Sequence, residues 1–348
     1  MSDATLTIDL EAIRANWKAL DAMSAASVET SAVVKADAYG LGAEIVAPAL
    51  AKEGAKTFFV ALASEGVAVR KTLGPDIPIY IFSGYMKGDQ EAMASANLIP
   101  LLNSPEQVNR FLHDMPDHPC GLQLDSGMNR LGIEPVELAT LLLTIPRMNP
   151  SLVMSHLACS DEPGHLQNAT QLAAFATMTA TLPYKKSLAA TGGTLLNSSY
   201  HYDMTRPGVG LYGGLPFQKA RPVVRLDVPV IQTRDVLPGE TVGYGGSWTA
   251  QKLSKIATIS AGYADGLIRQ MGFNTPVLFA DTIPCPIVGR VSMDLITVDV
   301  THLEEIPDTL SLLGPAQTID DLATKAGTIG YEILTSLGSR YNRRYIGA

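Results

Sequence analysis

A lysine ends a short apolar run near the amino terminus of the chain. Residues 31–34 read Ser-Ala-Val-Val, Lys35 follows, and Gly40 and Gly42 interrupt the chain before a segment with helical spacing. A short β-branched run is typical of a buried parallel strand, and the glycines favour a turn. Lys35 would therefore lie at the carboxyl end of a strand. A desolvated amine there loses its proton easily and attacks carbonyl carbons, although a lysine that simply extends into solvent is the alternative.

An arginine and a histidine lie at or just beyond the ends of two further strand candidates. Arg130 closes the segment Asp-Ser-Gly-Met-Asn-Arg after the apolar residues 120–124, and His156 lies in the candidate strand 152–157. A planar guanidinium donates two parallel hydrogen bonds to a carboxylate, so Arg130 is a candidate for binding an acidic substrate group. Pairing with a surface acid is the alternative for Arg130, and a structural role is the alternative for His156.

Glycine-rich turns mark the next two strand candidates. Thr191 begins the turn Thr-Gly-Gly, and Arg206 lies in the segment Thr-Arg-Pro-Gly-Val-Gly that ends at Gly210. Glycines let backbone N–H groups approach an anion closely, and a hydroxyl adds a donor. In barrels, the loops after the seventh and eighth strands commonly bind phosphate. These turns therefore predict a phosphate site.

Alternating apolar and helical segments would position these residues. The first helix is predicted over 10–20, with Asp9 as its cap, and Ser104 begins another helix with a proline and a glutamine in the positions of a capping box. Eight strand candidates separated by helices predict a (β/α)8 barrel, an α/β fold whose active site lies at the carboxyl ends of the strands. The strand candidates are 31–34, 57–62, 78–82, 99–102, 120–124, 152–157, 187–190 and 208–212.

The pattern changes after Gly214. Apolar segments from Arg221 onward are joined by proline and glycine turns, which predicts a mostly β domain at the carboxyl terminus. We expect residues 1–220 to form the barrel and residues 221–348 to form this second domain. Its strand candidates are 228–233, 254–260, 276–279 and 295–300, and helical spacing returns at 320–326 and 331–337.

Composition limits the class of protein. The chain has 348 residues, of which 46% are hydrophobic and 17% are charged, and its net charge is −8. This charge argues against nucleic-acid and anionic-membrane partners, and no apolar run reaches the roughly 18 residues of a membrane span. The three cysteines have no metal-ligand spacing, and the amino terminus has no secretory signal pattern, which together favour a cytoplasmic protein with reduced thiols and no metal. We expect small molecules or a second copy of the chain as partners.

The segment around Lys35 resembles the pyridoxal-phosphate lysine motif of alanine racemases. Further motifs follow in that family's order across residues 4–345. The resemblance implies that pyridoxal 5'-phosphate forms a Schiff base with Lys35 and that Arg130 holds the substrate carboxylate. It also implies that His156 hydrogen-bonds Arg206, and that this arginine faces the pyridine nitrogen and keeps it unprotonated.

The resemblance assigns the remaining site residues as well. In the second domain, the segments Gly-Tyr-Ala-Asp-Gly and Gly-Arg-Val-Ser-Met-Asp match motifs that the partner subunit contributes in that family, so a homodimer with shared sites is implied. Lys35 would exchange the α-proton of D-alanine and Tyr263 that of L-alanine, while Met293 would contact the substrate through its backbone. The phosphate ligands implied are Tyr39, Thr191, Gly208, Val209 and Tyr331.

Gln123 departs from the family's pattern. Many members carry a carbamylated lysine there, which braces the arginine that corresponds to Arg130, and a neutral glutamine supplies no charge. An acid elsewhere or an anion such as chloride would take over that role. Two other classes share part of the pattern. An amino-acid decarboxylase would use other second-domain motifs, and a non-catalytic pyridoxal-phosphate carrier would lack the second domain. Alanine and serine stay open as substrates, as do biosynthetic and catabolic roles.

Overall fold

The computed structural model describes residues 4–272 and 277–348. The chain divides into two compact units. One unit comprises residues 14–220, and the other comprises residues 221–348 together with the start of the chain up to Ile13. The Leu10–Asp21 helix begins in one unit and ends in the other, and Asp9 Oδ1 caps it by accepting a hydrogen bond from Ala12 N at 3.0 Å, as predicted.

The unit of residues 14–220, called the barrel unit below, is built on a parallel sheet of seven strands. Neighbours in the chain are neighbours in the sheet, and Ala32 lies opposite Phe58 in the first pair. Apart from Lys186, every residue of these strands is buried, which explains why they read as short, continuous apolar runs. The strands are Ala32–Val33, Phe58–Val60, Ile79–Ile81, Ile99–Leu102, Gly121–Gln123, Val153–Met154 and Lys186–Ser187.

An eighth strand completes the ring, but its predicted position was wrong. The strand is Met204–Thr205, which pairs in parallel with Glu29–Thr30, and a single bridge joins Arg206 to Ala190 on its other side. The predicted segment instead contains a 3-10 helix, Val209–Tyr212. Pro207 O still accepts a hydrogen bond from Val33 N at 3.0 Å, and the chain leaves the sheet only after it, at Gly208, directly before the 3-10 helix. An apolar run this short does not distinguish a strand from a helix.

Helices follow most of the strands, as the (β/α)8 prediction requires. Ser104 Oγ accepts a hydrogen bond from Gln107 N, so the predicted cap of the Pro105–Asp114 helix is confirmed. The other helices of the barrel unit are Ala43–Glu53, Ala63–Leu73, Gln90–Ser95, Pro135–Leu141, Ile145–Met148, Leu166–Met178 and Thr191–Leu196, with a 3-10 turn at Ser198–Tyr200.

The other unit, called the β unit below, contains a largely antiparallel sheet. Val224–Val236 is its central strand and pairs with three neighbours, one of them Thr5–Asp9 at the start of the chain. Thr5–Asp9 also pairs in parallel with Asn342–Ile346. Thr5–Asp9 therefore belongs to this sheet. Its other strands are Ser254–Ile259, Val277–Ala280, Ile283–Pro286, Ile296–Asp299 and Thr309–Leu313, and Thr241–Val242 pairs separately with Trp248–Thr249.

The predicted strands of this unit are confirmed where they are described. Pro276, the first residue of one candidate, lies outside the described residues, and the strand is described from Val277. The two predicted helices are Ile319–Ala326 and Gly330–Ser336. Short 3-10 turns occupy Tyr244–Gly246, Tyr263–Asp265 and Arg269–Gly272.

Candidate active site

Lys35 comes directly after Val34 at the carboxyl end of the first barrel strand, as predicted. Its Nζ lies 5.7 Å from the centroid of the Phe82 ring. Burial lowers the pKa of Lys35, the positive charge of Arg130 lowers it further, and the carboxylate of Glu65 acts in the opposite direction. Because desolvation dominates, Lys35 is easier to deprotonate than an exposed lysine and is a better nucleophile near neutral pH.

The backbone after Lys35 forms a left-handed turn, which the sequence did not predict. The four residues from Ala36 to Tyr39 have φ between 51° and 56°. This conformation costs about 1–2 kcal/mol per residue for L-amino acids other than glycine, so neighbouring groups must hold it. Glu65 Oε1 accepts a hydrogen bond from Ala36 N at 2.8 Å, and Asp37 Oδ1 accepts one from Ala43 N at 2.7 Å.

Arg206 is buried among neutral oxygens. Only 1% of its surface is exposed, and its guanidinium donates to Ser187 Oγ and, at 2.7 Å and 3.4 Å, to the carbonyl oxygens of Ser155 and Leu188. All the hydrogen bonds that the described residues give Arg206 therefore end on uncharged groups. Burial lowers the pKa of Arg206 to about 9, so the side chain remains a cation at neutral pH.

His156 lies after the sixth strand and faces three cations. Burial lowers the pKa of His156 to about 3, and the positive charges of Arg206, Arg130 and Lys35 act in the same direction. His156 is therefore neutral at physiological pH. Within the described residues, Arg206 bonds the carbonyl of the neighbouring Ser155 and not the imidazole of His156, so the predicted contact between the two side chains is not made directly here.

Arg130 extends from the loop after the fifth strand and is exposed. Asp125 Oδ1 organises this loop by accepting hydrogen bonds from Gly127 N and Met128 N, each at 2.8 Å. Within the described part of the barrel unit, no acid is paired with Arg130, so its donors are available to a carboxylate ligand.

Gln123 is buried and contacts the same loop. Its Nε2 donates to the carbonyl oxygen of Leu131 at 3.1 Å, next to Arg130 in the chain. The side chain therefore supports the arginine through the backbone. A neutral amide performs this contact without the charge that a carbamylated lysine supplies.

The residues of the predicted phosphate site come together on the barrel unit. Thr191 Oγ1 accepts hydrogen bonds from Gly208 N at 3.0 Å and Gly210 N at 3.2 Å. A Cβ at Gly208 would lie 2.4 Å from Tyr39 Oη, so only glycine allows this approach. Tyr39 in turn stacks on Tyr212 with the ring centroids 4.7 Å apart. Val209 follows Gly208 as the first residue of the 3-10 helix.

The candidates in the β unit occupy two turns that hydrogen-bond each other. Tyr263 N donates to Ser292 O at 3.0 Å and Ala264 N donates to Met293 O at 2.9 Å. A Cβ at Gly262 would lie 2.3 Å from Met293 O, so the two turns are in close contact. The side chains of Tyr263 and Met293 are 42% and 53% exposed.

An arginine fixes these two turns. Arg340 binds the Asp265 carboxylate through Nε at 2.6 Å and Nη2 at 2.7 Å, and its Nη1 lies 2.8 Å from Asp294. Asp265 also accepts a hydrogen bond from Gly262 N at 2.9 Å. These two carboxylates raise the pKa of Arg340 above its ordinary value. Tyr331, the remaining candidate, lies separately in the Gly330–Ser336 helix and is 39% exposed.

The candidate site residues thus fall into two groups, one in each unit. In the barrel unit, an easily deprotonated amine lies within the electrostatic field of an exposed arginine, with a buried cation and a neutral histidine behind it. Such a group can bind the carboxylate of an amino acid and accept its α-proton. The residues that sequence reasoning missed are supporting groups, namely Glu65, Phe82 and Arg340, together with Gln167 and Gln171, which donate hydrogen bonds to Gly127 O and His156 O. No local pattern marks them, because each acts through a contact distant in the chain.

Both units of the chain match models of one protein family. Residues 8–216 match the family model described as alanine racemase, N-terminal domain, and residues 223–345 match the alanine racemase C-terminal domain. The alanine racemase of Dinoroseobacter shibae is 59% identical over 347 residues, which cover 100% of this chain and 99% of that protein. The catabolic alanine racemase of Agrobacterium fabrum is 44% identical over 357 residues, covering 98% and 92% of the two chains.

A solved structure identifies the same family. The alanine racemase of Bartonella henselae with covalently bound pyridoxal phosphate is 39% identical and superposes with a TM-score of 0.94, covering 99% of this chain and 100% of that one. The predicted fold class, a (β/α)8 barrel followed by a mostly β domain, is confirmed by these matches and by the sheets described above. The chain belongs to the alanine racemase family.

Proposed function

We propose that this protein interconverts L-alanine and D-alanine with pyridoxal 5'-phosphate as its cofactor. Its family consists of pyridoxal-phosphate-dependent amino-acid racemases, so the enzyme class and cofactor follow from membership. The observation that carries the assignment of the site is Lys35, a partly buried amine at the carboxyl end of the first barrel strand, whose pKa is lowered by desolvation and by the positive charge of Arg130. The roles of individual residues below are part of the proposal.

The residues of the barrel unit fit the cofactor in two places. A phosphate group suits the turn of Thr191, Gly208 and Val209 with the hydroxyl group of Tyr39 as a further donor, because glycine and hydroxyl donors favour an anion. In this structure Gly208 N donates to Thr191 Oγ1, so the phosphate would share that N–H. Tyr331 of the β unit is proposed as a further donor to the phosphate. A pyridine nitrogen suits Arg206, a buried cation whose hydrogen bonds use only neutral oxygens. Lys35 would hold the cofactor covalently.

The chemistry of inversion is divided between the cofactor and the chain. When bound, pyridoxal phosphate supplies an electron-withdrawing ring that lets the α-proton of the amino acid leave. Lys35 moves this proton on one face of the α-carbon and Tyr263 on the other, because inversion needs two acid–base groups on opposite faces. Arg130 binds the substrate carboxylate, Met293 contacts the substrate through its backbone, and His156 stays neutral behind them.

A homodimer with shared active sites is the second part of the proposal. The exposed side chains of Tyr263 and Met293 support it, because a proton-transfer group works best where water is excluded. A second copy of the chain would provide that cover. The domain division at residues 220 and 221 belongs to the same proposal, with the barrel unit contributing Lys35 and the β unit contributing Tyr263.

A cytoplasmic location is the third part. Cys120, Cys159 and Cys285 are all free thiols, as is usual in a reducing compartment. Among the described residues, no helix is both long and apolar enough to cross a membrane.

Racemisation in deuterated water tests the reaction. Protein loaded with pyridoxal phosphate should convert L-alanine to D-alanine on a chiral column, with deuterium at the α-carbon of the product. L-serine and L-leucine in parallel reactions measure the preference for small side chains. Release of carbon dioxide would instead indicate a decarboxylase, and the absence of any turnover with bound cofactor would indicate a carrier.

A further inference from the structure

The Leu166–Met178 helix carries Gln171, whose fully buried side-chain amide contacts the backbone of the candidate site. Gln171 has none of its surface exposed. Its Oε1 accepts a hydrogen bond from Ala158 N at 2.8 Å, and its Nε2 donates to His156 O at 2.9 Å. These two backbone groups belong to residues two apart in the chain, so the side chain makes the pair of bonds that a neighbouring strand would make. Gln171 thereby holds the segment that carries His156.

The same helix also holds the loop that carries Arg130. Gln171 Nε2 donates to Ser126 Oγ at 3.3 Å, and Gln167, one turn earlier on the same face, donates to Gly127 O at 2.9 Å. Ser126 Oγ further contacts Ser155 Oγ at 2.8 Å. The Arg130 loop and the His156 segment are therefore joined through one buried amide.

Arg206, the third cation of the site after Lys35 and Arg130, is hydrogen-bonded to the same segment. Ser155 lies next to His156 and accepts a hydrogen bond from Arg206 at 2.7 Å. A shift of residues 155–158 would consequently displace the partner of Arg206, the backbone of His156 and the support of the Arg130 loop together. Misplacement of a reacting group by about 1 Å can cost roughly 100-fold in rate.

A second glutamine provides the matched comparison. Gln107 is also a buried helical residue, and its amide accepts hydrogen bonds from Asn103 N and Tyr85 N and donates to Ser83 O. It therefore joins two loops of the barrel unit by the same chemistry as Gln171. None of these contacts is to the Arg130 loop or the His156 segment, although Ser83 follows Phe82, whose ring lies 5.7 Å from Lys35 Nζ.

We propose that Gln171 is a positioning residue for the racemisation, because it fixes the Arg130 loop and the His156 segment in one mutual arrangement. The inference rests on the role proposed above for Arg130. Removal of the amide should therefore weaken recognition of the substrate carboxylate, and not merely the stability of the fold.

The test compares Gln171→Leu with Gln107→Leu, each as the holoenzyme. Both variants leave backbone groups unpaired, so both should melt at lower temperature. Gln171→Leu should lower kcat/KM for alanine by about 30- to 100-fold, mainly through KM, and should weaken competitive inhibition by propanoate by roughly tenfold. Gln107→Leu should change kcat/KM by less than about threefold, since it touches no substrate-binding loop. Equal losses in the two variants with unchanged propanoate inhibition would overturn the proposal.

Two further variants keep the outcome decisive. If Gln171→Leu does not fold, Gln167→Leu removes the single bond to Gly127 and should still raise KM and the propanoate inhibition constant, whereas unchanged values would contradict the inference. Arg130→Ala separates this inference from the proposed function. Unchanged propanoate inhibition in Arg130→Ala would refute the role of Arg130 itself. A large loss there, combined with equal behaviour of the two leucine variants, would refute only the role of Gln171.

Discussion

The candidate residues of the barrel unit and of the β unit differ in how this chain surrounds them. Arg206 is 1% exposed and His156 is neutralised by burial and neighbouring cations, so packing within one chain already determines their charge. Tyr263 and Met293 are largely exposed, and their backbone turns, not their side chains, are fixed by Arg340 and the hydrogen bonds around it. The proposed homodimer would account for this difference, because a second copy of the chain would cover Tyr263 and Met293.

Among the variants considered, removal of Lys35 from the barrel unit should cause the largest loss of racemisation. Lys35→Ala should lower racemisation by roughly 10³-fold or more, because among the described residues Lys35 is the amine whose pKa is lowered by desolvation and by Arg130. Borohydride treatment of the wild-type holoenzyme should fix the cofactor on the peptide containing Lys35, as mass spectrometry can read. Lys52→Ala, which removes an exposed lysine, is the control. Label on another lysine would refute the assignment.

Mixed dimers test whether the exposed group is completed by a second copy. Lys35→Ala and Tyr263→Phe should each be nearly inactive alone, because each lacks one of the two bases. After dissociation and random reassociation at equal concentrations, activity should recover to about a quarter of wild type per subunit, because half of the dimers then contain one intact site. Differently tagged chains verify the exchange. If exchange occurs without recovery, Tyr263 acts within its own subunit or has no role.

The buried cation should control what happens to the amino acid after its proton leaves. Arg206→Glu places an acid where the pyridine nitrogen is proposed to lie, and an acid there strengthens the ring as an electron sink. Transamination should consequently rise by about tenfold relative to racemisation, measured as pyruvate formed per D-alanine formed. Arg206→Lys keeps the positive charge and should leave this ratio low. An unchanged ratio in Arg206→Glu would show that Arg206 does not face the ring.

The smallest expected effect is on stability at acid pH. Because the pKa of His156 is lowered to about 3, the unfolded chain binds a proton between about pH 6.5 and pH 3 that the folded chain does not. The free energy of unfolding of the cofactor-free protein should therefore fall as the pH falls through this range, by about 1–4 kcal/mol from this group. His156→Gln should flatten the dependence, whereas His302→Gln, which changes an exposed histidine, should not. Parallel curves for wild type and His156→Gln would place the histidine in solvent.

The candidate residues of the barrel unit were predictable because they follow buried strands and stand in motifs. Lys35 and Arg130 were expected at the carboxyl ends of strands, and they lie there. The eighth strand was misplaced, because only the partner Glu29–Thr30 distinguishes Met204–Thr205 from the apolar residues that follow. Gln171 was invisible, since its role depends on backbone groups of two loops that come together only in the folded chain.

The left-handed turn after Lys35 has a consequence for how this protein tolerates change. Four non-glycine residues in this conformation represent about 4–8 kcal/mol of strain, against a net stability of about 5–15 kcal/mol for a typical domain. Ala36→Gly should therefore raise the melting temperature, because glycine accepts positive φ without strain. Ala36→Val should lower it, although valine is usually favoured next to a strand. A more stable variant obtained at Ala36 would also loosen the placement of the amine one residue away.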